Sequence, residues 1–161
     1  MALRMTHNQP IKLSDYQVLA EFRYQIRRFV RFSEEAARKI GIEPHHHQLM
    51  LAIKGKPDAD EPPRIAYLAE RLQIQHHSAV ELVDRLVKKG LITRARGRQD
   101  RREVYLQLTA RGERILGELT LHTRAELRSA APALVVTLKK VASHGGSNAR
   151  AGIRSARAGK K

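Results

Sequence analysis

The chain has 161 residues, 42% of them apolar, which suits one domain with a hydrophobic core. Lys and Arg number 31 against 16 Asp and Glu, a formal net charge of +15 that points to polyanionic partners or an acidic surface. The absence of cysteine excludes disulfides, thiolate zinc sites and cysteine redox sensing, and with neither an apolar signal core nor roughly 18 apolar residues in a row, a soluble, cytoplasmic protein without membrane contact is expected.

Residues 1–13 show no periodicity and are expected to form a flexible N-terminus. Ser14 with Gln17 three residues on has the form of a capping box, and Leu13 is placed to pack on Val18 as a staple. Leu19, Phe22, Ile26, Phe29, Val30, Ala37 and Ile40 then repeat at helical spacing up to Gly41, predicting a helix of roughly 40 Å. Five aromatic residues, Tyr16, Phe22, Tyr24, Phe29 and Phe32, spread over more than one face of it. A helix this long, apolar on several faces, is expected to pack against a second copy of the chain.

Pro44 suits the first turn of a second helix, which runs to Gly55. Within it His45, His46 and His47 are consecutive, about 100° apart around the axis, so they cannot converge on one ion; no metal site is expected. A polar connector, 56–63, leads to a helix from Arg64 to Leu72 with Ile65, Leu68, Ala69 and Leu72 inward. Gln73, Ile74 and Gln75 make a turn, and a helix from His76 to Lys89 follows, its inner face Ala79, Leu82, Val83, Leu86 and Val87. Gly90 ends it. Residues 91–96 and 103–109 read as a strand pair, with Val104, Leu106 and Leu108 alternating against Tyr105 and Gln107. The loop between them crowds Arg94, Arg96, Arg98, Arg101 and Arg102 around one acid, Asp100, a density of charge that calls for an anion. Thr109 caps a helix to Ala131; Pro132 is expected to break it, leaving a last short helix through Ala142. Residues 145–161 hold five basic residues and no acid and are expected to be a disordered basic tail.

Two short helices joined by a brief turn, backed by a two-stranded ribbon, have the spacing of a winged helix-turn-helix. The expected fold is therefore mostly α with a small β-wing, over residues 14–144. The DNA-binding part would span about 44–109, and the N- and C-terminal helices would form a dimerisation region. Residues facing the groove would be His76, His77, Ser78, Glu81 and Arg85. Glu81 could accept from cytosine N4 or pair with Arg85 one turn on. No Ser-His-Asp order, carboxylate pair, phosphate-cradling Gly loop or metal motif stands out, so neither an enzyme nor a cofactor is expected.

Over roughly residues 14–143 the sequence resembles the MarR family of winged helix-turn-helix transcriptional regulators. The resemblance rests on IAYLAERLQI, VELVDRLVKKGLITR and DRREVYLQLTARG. The last of these holds Asp100, Arg102, Leu106, Leu108, Thr109 and Gly112 at the family's wing spacing. The resemblance implies a homodimer on double-stranded DNA at a near-palindromic site, with the second helix of the motif, His76 to Lys89, in the major groove. The wing, Arg98, Asp100, Arg101 and Arg102, would lie at a minor groove, Asp100 holding its arginines. It also implies release by a small aromatic or anionic effector, for which Tyr16, Phe22, Arg23, His46 and Met50 are candidate pocket residues. Four positions depart from the pattern. Gln73 stands where relatives often have Gly, Gln75 where a Ser or Asp cap is usual, and Val80 and Glu81 where a small hydroxyl and a basic residue are common. The alternative reading is a basic architectural or RNA-associated protein on the same body, without a sensed ligand.

Overall fold

The computed structural model describes residues 11–57, 62–96 and 104–144. Its elements are α1 (Leu13–Lys39), α2 (Pro44–Lys54), α3 (Ile65–Leu72), α4 (His76–Lys88), β1 (Ile92–Arg96), β2 (Val104–Leu108) and α5 (Ala110–His144). The fold is mostly helical with one two-stranded antiparallel sheet, in which Ile92 pairs with Leu108 and Arg96 with Val104. The predictions for residues 1–10, for the wing tip 97–103 and for the tail 145–161 lie outside the described residues.

The chain divides into two compact units, residues 31–126 and residues 1–30 with 127–161. In the first, the core is built from Leu49, Met50, Leu68, Val83, Leu86, Leu91, Ile92, Leu106 and Leu119, all at most 1% exposed. Of these, Leu68, Val83, Leu86 and Leu106 stand at the helical and strand spacings that predicted inward faces. Of the three alternating residues in β2, Leu106 is fully buried, Leu108 is partly buried and Val104 lies at the edge, 37% exposed. The Leu106 amide also donates to the Pro63 carbonyl at 3.1 Å, so the segment before α3 flanks β2.

In the other unit the buried residues, among those described, are Gln25, Ala130 and Thr137. Its large apolar side chains point outward: Leu13, Tyr16, Leu19, Tyr24, Ile26 and Val30 from α1, and Leu127, Val135, Val136 and Leu138 from α5. Leu13, Tyr16, Leu19, Ile26 and Val30 fall on one stripe of α1 at 3.6 residues per turn, with Arg23 inside it.

Two local expectations are corrected. The Ser14–Gln17 capping box and its staple do not form. Helix α1 starts at Leu13, the Lys12 amide donates to Asp15 Oδ2 at 2.8 Å, and Leu13 is 73% exposed. A carboxylate at the first turn is a stronger acceptor than an amide or hydroxyl and also suits the helix dipole. Pro132 does not end a helix either, and α5 is one helix of 35 residues. Both Pro132 and Arg128, whose carbonyl a proline four residues on leaves without its helical amide donor, are exposed residues of α5.

Candidate nucleic-acid interface

Helix α4 is anchored on one side and open on the other. Ala79, Val83 and Leu86 are fully buried, while His76, His77, Glu81, Arg85 and Lys88 are exposed and Ser78 is half-buried. At 100° per residue, Glu81 and Arg85 fall about 20° either side of the line opposite Val83, which makes them the crest of the outer face. Arg85 Nη2 sits 3.6 Å from Glu81 Oε2, with both side chains more than half exposed. This ion pair is one of the two roles open to Glu81.

Three sets of contacts hold this crest in place. At the N-terminal end, α3 stops where Gln73 adopts φ 55°, ψ 43°. The Gln73 amide donates to Glu70 and the Ile74 amide to Ala69, the two bonds of a Schellman ending, while Gln73 Nε2 donates to the Glu70 carbonyl at 2.7 Å. Gln75 then precedes α4 in extended conformation and makes no side-chain capping bond, in keeping with a weak cap.

At the C-terminal end, Gly90 (φ 67°) and Leu91 repeat the Schellman pair onto Val87 and Leu86. The third set joins α4 to the sheet, where Arg94 Nη2 of β1 lies 2.6 Å from Asp84 Oδ1. At the base of the wing, Arg64 stacks over the Tyr105 ring, 5.6 Å from its centre.

The second half of the Leu-x-Leu-Thr-x-x-Gly signature proves to be a clasp at the foot of the wing, a role not read from the sequence. The Thr109 amide donates to the Leu91 carbonyl at 3.0 Å, and Thr109 Oγ1 donates to the Gly90 carbonyl at 2.8 Å. The same hydroxyl oxygen accepts from the Gly112 amide at 3.0 Å, capping α5. A Cβ at Gly112 would stand 2.1 Å from the Leu91 carbonyl oxygen, so no side chain fits there. Spacing alone marks these residues; only the approach of α5 to Leu91 explains why a glycine is needed.

The wing residues Arg98, Asp100, Arg101 and Arg102 lie outside the described residues. Of the candidate effector residues, Tyr16 and Arg23 are exposed on α1 and Phe22 half-buried there, all in one unit; His46 and Met50 are fully buried in the other. Neither ring nitrogen of His46 has a hydrogen-bond partner among the described residues. Burial lowers the pKa of His46 more than the nearby Glu43 carboxylate raises it, and burial lowers that of His47 as well.

A cleft of about 370 Å³, which the sequence did not disclose, lies between the C-terminal part of α1 and α5. Phe32, Ile40 and Leu119 give it an apolar floor, and Lys39, His122, Glu35 and Glu118 supply its polar groups. It is assembled from two helices some 80 residues apart, so no local pattern announces it.

These elements define a winged helix-turn-helix protein. The model of the MarR family matches residues 40–103, from just after α1 through α2, α3, α4 and β1. Solved structures with the same fold include a MarR family protein from Bacillus stearothermophilus (19% identity, TM-score 0.65, covering 75% of this chain and 81% of that one). Wild-type MarR from E. coli, in its apo form, is 19% identical at TM-score 0.61, covering 86% of this chain and 99% of that one. CouR from Rhodococcus jostii RHA1, solved bound to p-coumaroyl-CoA, is 16% identical at TM-score 0.63, covering 82% and 96%. At these identities the likeness establishes the fold. A comparison with curated proteins gives no match.

Proposed function

We propose that the protein is a dimeric, sequence-specific DNA-binding transcriptional regulator of the cytoplasm, a repressor released from DNA by a small-molecule effector. The observation that carries the reading is the exposed crest of α4, set directly opposite its buried face inside the family-matched segment. A helix presented this way in a chain of net charge +15 is suited to the major groove. Dimerisation is supported by the outward apolar stripe of α1, and a two-fold dimer carries two such helices to a near-palindromic site. The wing arginines Arg98, Arg101 and Arg102 would flank a minor groove, with Asp100 among them. For the effector, the binding of p-coumaroyl-CoA by CouR is suggestive. The α1–α5 cleft, with an apolar floor and the Lys39 ammonium and His122 ring beside Glu35 and Glu118, would suit an aromatic ligand with an anionic group for Lys39.

The test is selection of bound duplexes from a random pool, followed by titration of the winning duplex at several salt concentrations, with and without aromatic acids. A near-palindromic motif is expected, with affinity falling by about 10³-fold or more between 50 and 200 mM salt, as for a protein that neutralises six or more phosphates. The net charge and the basic composition of residues 145–161 favour the architectural or RNA-associated reading as the alternative. Equal affinity for structured RNA and for all duplexes would establish it instead.

A further inference from the structure

We propose that Glu81 and Arg85 read bases as a couplet, Glu81 on a cytosine and Arg85 on a guanine, so that each half-site carries two fixed G·C pairs one or two steps apart. The proposal rests on the reading of α4 as the helix in the major groove.

The geometry comes first. The two residues share the crest of α4, one turn and about 6 Å apart along its axis, slightly less than two base-pair steps of about 3.4 Å. Ala79, Val83 and Leu86 fix the rotation of the helix, and Asp84 ties it to β1 at 2.6 Å. The crest therefore cannot roll to hide the carboxylate.

The chemistry follows from what each side chain can do. A carboxylate only accepts hydrogen bonds, and in the major groove the amino donors are cytosine N4 and adenine N6. Adenine sets its N7 acceptor beside N6, which repels an anion, whereas the cytosine edge offers its donor without such a neighbour. A guanidinium donates twice to guanine O6 and N7.

An acid among phosphates is unfavourable unless its charge is offset. Arg85, 3.6 Å away, does this in the free protein and makes the couplet neutral as it approaches DNA. An exposed ion pair one helical turn apart is weak, so exchanging it for two base contacts costs little.

The contrasting possibility is that Glu81 serves only as a solvated partner of Arg85. The two are separated by selecting duplexes with the full chain and with Glu81→Gln, an exposed and nearly isosteric change. For the wild type, the expected motif holds a fixed cytosine in each half-site. Replacing it by thymine should weaken binding about tenfold. Glu81→Gln should lose that cytosine, with adenine favoured because glutamine donates to N7 and accepts from N6, while the remaining fixed positions stay. If Glu81→Gln selects the wild-type motif and binds every duplex more tightly, the carboxylate reads nothing and the proposal is overturned, while the regulator reading stands. If the wild type enriches no motif, the reading of α4 as a groove helix fails and takes the proposal with it.

Discussion

Gln73 occupies a backbone position that glycines hold at the other two Schellman endings, Gly41 (φ 76°) after α1 and Gly90 (φ 67°) after α4. A side chain in this left-handed region is strained, and among the described residues the compensation is the exposed 2.7 Å bond from Gln73 Nε2 to the Glu70 carbonyl. Gln73→Gly should therefore stabilise the protein, by up to about 1 kcal/mol, in urea unfolding. Gly90→Ala is the control: its Cβ would meet nothing within 4 Å, so its expected loss of about 1 kcal/mol measures backbone strain alone. Equal stability of all three chains would remove the strain argument. His46 and His47 supply a second test at this scale. Their pKa values are depressed from 6.5 by burial, so below that pH the unfolded chain binds protons the native chain refuses. Stability should be full above about pH 6.5 and fall progressively as the pH drops towards the lowered native values. His46→Leu should flatten that slope in unfolding curves taken across the window; an unchanged slope would assign the effect elsewhere.

At the scale of elements, periodicity served the sequence reading well and punctuation served it less well. The inner faces of α3 and α4 were legible because each is short, amphipathic and bounded by a turn. Both strands were legible to within a residue, because alternation and the flanking glycine agree. Pro132 misled, since a local rule says that proline ends a helix, yet residues on both sides of it continue α5. The rule reflects a lost hydrogen bond and a ring clash, and a helix with enough residues on either side absorbs both. Pro132→Ala should then raise stability, by roughly 1–3 kcal/mol, without changing helical content in circular dichroism. A rise in helicity would instead mean that the helix is interrupted there in solution.

For the whole molecule, the contrast between the two units carries most of the meaning. One has a continuous core; the other buries only Gln25, Ala130 and Thr137 among its described residues and turns its large apolar side chains outward. Under the proposed function this apolar surface meets a second copy of the chain. Light scattering should give twice the mass of one chain, and the double variant Leu19→Lys, Ile26→Lys should shift it toward one. A wild-type monomer at micromolar concentration would sink the dimer proposal. The candidate interface was legible because it lies on one helix, where sequence spacing is spatial order. A pocket is not legible in the same way, because it gathers side chains from distant segments, as the α1–α5 cleft does; it shares none of its lining with Tyr16, Phe22, Arg23, His46 or Met50.

The clasp at Thr109 and Gly112 has a consequence for how such a protein can change over time. Because hydroxyl and amide bonds join residues 90 and 91 to residue 109, and residue 109 to residue 112, the hairpin is closed at its neck, like a purse drawn shut below its contents. The free-energy cost of lengthening a closed loop grows only logarithmically, about 0.6 kcal/mol per doubling. The neck thereby holds the framework whatever the length of the hairpin it closes. Gly112, whose place no Cβ can share, is the knot that cannot be retied.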